Sequence, residues 1–173
     1  MSEVTGARPV RDEDAFDVEK VAGWLRTHAT DPTGLDGVPE VRQFTGGASN
    51  LTFLLRYASG RDVIVRRAPR GTKARGAHDM RREFTIQQAL APAFDYVAGM
   101  VAFCDDESVM CGDFYAMDRI EGVITAAEWP SDVPLSPEQA RALCLASVDV
   151  LAELHSVDPA AVGLTDLGKG EGY

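Results

Sequence analysis

Asparagine occurs once in this chain, at position 50, and cysteine three times. The thiols, Cys104, Cys111 and Cys144, are odd in number and lack the spacing of a metal-ligand set, which argues against a disulfide framework and against a zinc motif. Reduced, mostly buried thiols are the expectation, and with them a cytoplasmic setting. No run approaches the roughly 20 apolar residues of a membrane span. Residues 1–14 are polar and acidic, with no apolar stretch, and do not read as a secretory signal. There is no internal repeat and no low-complexity block. A net charge of −10 weighs against general nucleic-acid binding. What is present is ordinary globular material, 45% hydrophobic and 25% charged. At this length a compact chain can bury about 70% of its extended surface, so no disulfide staple is needed.

The most informative stretch runs from Phe44 to Arg67 and reads as strand, glycine turn, strand, tight turn, strand. Thr45-Gly46-Gly47-Ala48-Ser49-Asn50 offers two glycines able to take positive φ, followed by small polar side chains. Such a turn can bring backbone N–H groups to an anion, although a two-glycine hairpin can equally be only a hairpin. The next strand alternates Leu51, Phe53 and Leu55 against Thr52, Leu54 and Arg56. After a turn at Ala58-Ser59-Gly60-Arg61, the third strand puts Ile64 and Arg66 on one face and Val63, Val65 and Arg67 on the other. An apolar side chain that can cover a base, two positions before a cation that can reach phosphates, suits a nucleotide.

Cations concentrate in the same region. Arg56, Arg61, Arg66, Arg67, Arg70, Lys73, Arg75, Arg81 and Arg82 are nine of the seventeen in the chain, opposed only by Asp62 and Asp79. The run is either a solvated face or a local phosphate site.

Around this centre the order is helix, three strands, helix, two strands, connector, long helix. Residues 1–13 are expected to be disordered. A helix is expected from about Asp14 to His28, with His28 a helix-end cation, and a strand over 38–45. A second helix follows over 78–90 and would point Glu83 at Arg66 across the third strand; the alternative is a surface Glu83 pairing with Arg82 or Gln87. Strands are expected over 100–104 and over 109–120, the latter interrupted at Gly112-Asp113. Ser136-Pro137-Glu138 opens a helix running to about His155, with Leu143, Ala146, Val150, Leu151 and Leu154 as a strong apolar stripe that should pack deeply.

This order resembles the small lobe of the protein-kinase-like fold. More narrowly, it resembles the aminoglycoside phosphotransferase family, in the branch found alongside or fused to acyl-CoA dehydrogenases. The residues carrying the likeness are Gly46-Gly47-Ala48-Ser49-Asn50, Val63-Ile64-Val65-Arg66-Arg67, Arg82-Glu83-Phe84, Phe114 through Gly122, and Leu151 through Pro159 with Val162-Gly163-Leu164. Together they cover about residues 38–173. The resemblance implies an α+β fold: a five-stranded antiparallel sheet with a helix packed on it, and then the first helix of a truncated large lobe. It implies three segments, a tail and helix over 1–37, the small lobe over 38–122, and a connector with the start of the large lobe over 123–173.

It also implies a bound ATP, with roles by position. Gly46, Gly47, Ser49 and Asn50 would lie over the phosphates. Ile64 would roof the adenine and Met117 would sit behind it. The backbone from Asp118 to Ile120 would hydrogen-bond the edge of the base. Arg66 falls where the family usually carries a phosphate-binding lysine, with Glu83 as its carboxylate partner. Arg67 is the other candidate, and an arginine fork is not equivalent to a lysine point charge.

Phosphoryl transfer in this fold needs a base Asp, and an Asn with a second Asp to hold Mg²⁺. His155 with Asp158, and Asp166, are the nearest approximations, and neither is followed by an asparagine. The sequence therefore reads as an N-terminal, ATP-binding part of a small-molecule phosphotransferase. It would be inactive alone, with Mg²⁺ expected only in a complete protein and with an unknown hydroxyl acceptor. The exposed stripe over 137–155 would favour self-association. A non-catalytic nucleotide-binding or regulatory module is the alternative, and a basic interaction protein without nucleotide the third.

Overall fold

A computed structural model of the chain describes residues 4, 6–44, 50–69, 78–123, 129–131 and 133–167. The glycine turn at 45–49 and the basic loop at 70–77 lie outside the described residues. The backbone divides into two units. One comprises residues 1–88 and 98–119, the other 89–97 and 120–173.

The first unit is built on a six-stranded antiparallel sheet in the order β1-β2-β3-β4-β6-β5. Its strands are β1 (Ala7–Arg8), β2 (Glu40–Phe44), β3 (Leu51–Arg56), β4 (Asp62–Arg67), β5 (Met100–Cys104) and β6 (Phe114–Asp118). Five were expected; β1 is the sixth, pairing Ala7 with Phe44 and Arg8 with Gln43. The segment expected to be disordered is thus partly ordered, and a polar anchor is the physical reason. In a short 3-10 turn at Asp12–Asp14, Asp14 is buried and accepts from Arg11 Nε at 2.9 Å and Gln43 Nε2 at 2.8 Å.

That anchor also moves the start of helix α1, which spans Val18–His28 rather than beginning at Asp14. Asp17 caps it by accepting the Lys20 N–H at 2.9 Å. α1 lays Val21 and Leu25 into a cluster with Phe53, Leu55, Val63, Val65 and Phe114. Edge-on contacts of Phe16 with Phe53 and of Trp24 with Phe114 complete it. The alternation read from β3 and β4 therefore places one set of side chains under α1.

β6 is shorter than expected. Val109–Cys111 is a turn, formed when Asp106 accepts the Ser108 and Val109 N–H groups and Gly112 takes φ of 100°. The apolar pattern there reflected burial of Val109 and Met110 in the core, not a strand.

The other face of the sheet carries helix α2 (Met80–Leu90), which starts where Asp79 accepts the Arg82 N–H at 2.9 Å. Phe84 packs against Phe103 and Tyr115. On the same face, cross-strand partners align Thr52 with Arg66, Leu54 with Ile64, Ile64 with Met117 and Arg66 with Tyr115.

At the hairpin between β3 and β4, Asp62 accepts from Arg56 Nε and NH2, both at 3.0 Å, and from Arg119 NH1 at 2.6 Å. Its carboxyl is held below the usual carboxylate range, first by the Arg56 hydrogen bonds, then by Arg119, against an opposing effect of burial. A depressed folded pKa gives stability that is complete above the unfolded value and lost as pH falls through the folded one. Asp62→Asn is therefore expected to cost about 1–3 kcal/mol at neutral pH. It should also flatten the fall in melting temperature as the pH drops below about 4. Calorimetric melts of both proteins across that range check this.

In the second unit, helix α3 (Pro137–Ser156) starts as read from the sequence: Ser136 and Gln139 form a reciprocal capping box, with Pro137 in the first turn. The deep packing expected of it is not found. No residue of α3 is buried, and Leu143, Leu145, Val148 and Leu151 are 44%, 53%, 62% and 51% exposed. Its apolar stripe finds too little cover among the described residues.

Candidate functional site

Strand alternation separates two adjacent arginines. Arg67 points to the α1 side, where its side chain is 1% exposed. There NH2 donates to the Asp14 carbonyl at 2.9 Å and the guanidinium lies over Phe53, 5.6 Å from the ring centre. Arg66 points to the α2 side with Ile64, and its side chain keeps 31% of its exposure. Of the two cations, Arg67 is thus a core residue and Arg66 the one left on an accessible face.

Arg66 stands in a polar chain that α2 completes. NH1 lies 3.5 Å from Glu83 Oε2, too long for a good hydrogen bond, and donates to the Tyr115 hydroxyl at 3.2 Å. The hydroxyl donates to Glu83 Oε2 at 3.0 Å and accepts from Gln87 Nε2 at 3.3 Å. Burial raises the Tyr115 phenol pKa, with the Arg66 charge pulling it back, so the phenol keeps its proton at neutral pH. Arg66 Nε is buried and has no hydrogen-bond partner among the described residues. A guanidinium held on one side and still partly exposed can take an anion on its open side.

Asn50 is drawn into the same chain. Its Nδ2 donates to Glu83 Oε1 at 2.8 Å, and its Oδ1 lies 2.7 Å from His78 Nδ1. His78 holds φ of 62°, a conformation that non-glycine residues seldom adopt, immediately before α2. Both ends of the Asn50 amide are thus engaged by protein.

Met117 stands opposite Ile64 on β6, and Ile64 is 7% exposed. The Asp118 N–H, one of the backbone groups expected to face a base, donates instead to the Gly99 carbonyl at 2.8 Å. The Asp118 carboxylate accepts from Arg61 at 3.2 Å. Ile120 falls in the other unit and is 65% exposed. Gly46, Gly47 and Ser49 lie outside the described residues. The structure therefore brings together Asn50, Ile64, Arg66, Glu83 and Met117.

Tyr115 and His78 were missed in the sequence, and Gln87 was read only as a possible surface partner of Glu83. Two of them had a signal: Tyr115 lies two residues before Met117 in a strand, hence on its face, and Gln87 lies one helical turn after Glu83. The left-handed His78 had none.

Among the described residues, much of the basic run is paired. Arg56 pairs with Asp62, Arg61 with Asp118, and Arg81 with Asp105 while covering Phe103. Among the described residues no group of three His, Cys, Asp or Glu side chains could hold a metal ion. Asp158 serves a turn, accepting the Ala160 N–H at 2.9 Å.

Comparison with known proteins gives this arrangement a family. The phosphotransferase enzyme family is matched over residues 40–173. The chain belongs to that family. A crystal structure from Ralstonia eutropha JMP134, provisionally assigned as an aminoglycoside phosphotransferase, superposes with a TM-score of 0.70 at 35% identity; the match covers 90% of this chain and 43% of that one. Mouse acyl-CoA dehydrogenase family member 10 is 36% identical over 98% of this chain and 15% of its own length. Chicken acyl-CoA dehydrogenase family member 11 is 34% identical over 100% of this chain and 22% of its own. The chain thus spans about a fifth or less of these curated relatives. As a phosphotransferase-family chain it has the kinase-like mixed fold expected from its sequence, with the added strand β1. Among its described residues no helix is long and apolar enough to cross a membrane.

Proposed function

We propose that the α2-side face of β4 and β6 binds ATP, and that this chain is the nucleotide-binding part of a phosphotransferase acting on the hydroxyl of a small molecule. The observation that carries the reading is Arg66: on the face of Ile64 and Met117, held by Tyr115 beside Glu83, with its side chain 31% exposed and its Nε without a hydrogen-bond partner among the described residues. Ile64 and Met117 supply an apolar surface for the base, and Arg66 a fixed cationic fork for phosphate oxygens. The turn with Gly46, Gly47 and Ser49 adds backbone N–H groups in this reading. When bound, ATP supplies the phosphoryl group; these residues bind and orient it.

The chain's only asparagine is held by Glu83 and His78, which leaves no asparagine amide free to ligate Mg²⁺. In this reading the metal ligands, the base and the acceptor pocket come from outside these 173 residues, and the isolated chain binds ATP weakly without transferring phosphate. Its thiols fit a reducing, cytoplasmic setting in this reading, although Cys111 and Cys144 are exposed rather than buried as expected. Titrating ATP into the wild type and into Arg66→Ala tests the proposal: saturable binding lost with Arg66 supports it, and measurable acceptor-dependent turnover by the chain alone contradicts the division of labour. A nucleotide-binding module without catalysis gives the same titration, and is separated by whether a longer chain carrying the missing groups turns over ATP.

The exposed stripe of α3 implies self-association of the isolated chain. Sedimentation should give a mass above 18.6 kDa, and the double change Val148→Glu, Leu151→Glu should return it to a monomer. A wild type that stays monomeric at every concentration rejects this.

A further inference from the structure

We propose that Tyr115 is a positioning residue for Arg66: its buried phenol bridges Arg66 and Glu83 and so fixes the guanidinium for the nucleotide phosphates. This rests on the nucleotide reading above. A good direct hydrogen bond would need Arg66 and Glu83 within about 3.2 Å, whereas their ion pair is 3.5 Å long. The phenol spans that gap, at 3.2 Å from Arg66 and 3.0 Å from Glu83. A hydroxyl has one donor and two acceptor sites. Here the donor goes to Glu83 and the acceptors take Arg66 and Gln87, so every site is filled.

The orientation of the proton is fixed by those partners. Arg66 and the Gln87 Nε2, which also faces the Glu83 carbonyl, can only donate, which directs the hydroxyl proton toward Glu83. Tyr115 is fully buried, so water does not compete for any of these sites. Its ring gives the guanidinium a further surface, with Cζ 6.0 Å from the ring centre. Asn50 holds the opposite oxygen of Glu83 at 2.8 Å, so the carboxylate cannot swing to meet Arg66 directly. Arg66 and Tyr115 are therefore a matched pair. A lysine at position 66 is a compact charge on a flexible stem with three rotatable donors; it could reach Glu83 itself and would not need the phenol.

The test is a double-mutant cycle between Tyr115→Phe and Arg66→Lys, read by ATP titration and by thermal melting. Tyr115→Phe should weaken ATP binding about tenfold in the arginine background and less than about twofold in the lysine background. Gln87→Met, which frees the phenol rotor from a partly exposed helix position, should weaken binding about threefold and keep the fold if Tyr115→Phe melts too low to titrate. Equal losses from Tyr115→Phe in both backgrounds, or no loss from Gln87→Met, would overturn the positioning role while leaving the nucleotide site in place. A folded wild type that binds no ATP overturns the nucleotide reading, and the role with it.

Discussion

Asp14→Ala and Arg67→Ala should each destabilise the protein by about 3–5 kcal/mol, a large part of the stability of a single domain. Removing one partner of a buried pair strands the other without water. Arg67 is 1% exposed on its side chain and Asp14 9%. Without Asp14, the Arg67 guanidinium keeps the position-14 carbonyl but loses the carboxylate charge, and Gln43 and Arg11 lose their acceptor. Without Arg67, Asp14 retains Arg11 and Gln43, so the loss is mostly of packing over Phe53 and sits at the lower end of the range. Asp14→Ala should also release β1, because Gln43, which then loses its acceptor, pairs with Arg8 of that strand. Urea melts of the two variants beside the wild type measure this. A shift of less than about 1 kcal/mol in both would contradict the core assignment of Arg67.

The second large effect lies one residue away and is of the opposite kind. Arg66→Ala should leave stability within about 1 kcal/mol, because the side chain is partly exposed and its pair with Glu83 is screened. It should weaken ATP binding by roughly 10–100-fold, the range for losing charge-assisted hydrogen bonds to phosphate. Glu83→Ala should cost about tenfold by a different route. It removes the acceptor of both Tyr115 and Asn50, so the guanidinium is no longer held. Calorimetric titration separates these from the core variants: Arg66→Ala melts normally and binds poorly, whereas Arg67→Ala melts early. Equal binding losses at 66 and 67 in folded proteins would undo the assignment of faces.

The contrast between these arginines was legible in the sequence. A two-residue period in Val63-Ile64-Val65-Arg66-Arg67 suffices to put them on opposite faces, once both flanking strands are recognised. The same logic gave β3, and the capping residues gave the start of α3. What the sequence did not disclose depends on contacts distant in the chain. β1 has only two residues and is held by Gln43 and Asp14, whose interaction crosses 29 positions. The phenol of Tyr115 reads as another aromatic core residue until α2 is placed over it. Asn50 reads as part of a phosphate turn, yet its amide is bound 33 positions away, at Glu83. Val109 and Met110 show how burial alone can imitate a strand when the backbone is turned by Asp106 and Gly112.

Titration of ATP into the isolated wild-type chain tests the central claim most directly, run beside Arg66→Ala and with a melt of each to confirm folding. The predicted result is saturable binding with a Kd of roughly 0.1–1 mM for the wild type, weakened by ten times or more in the variant. A folded wild type that takes up no ATP, or an Arg66→Ala variant that binds as the wild type does, would contradict the assignment of this face to the nucleotide.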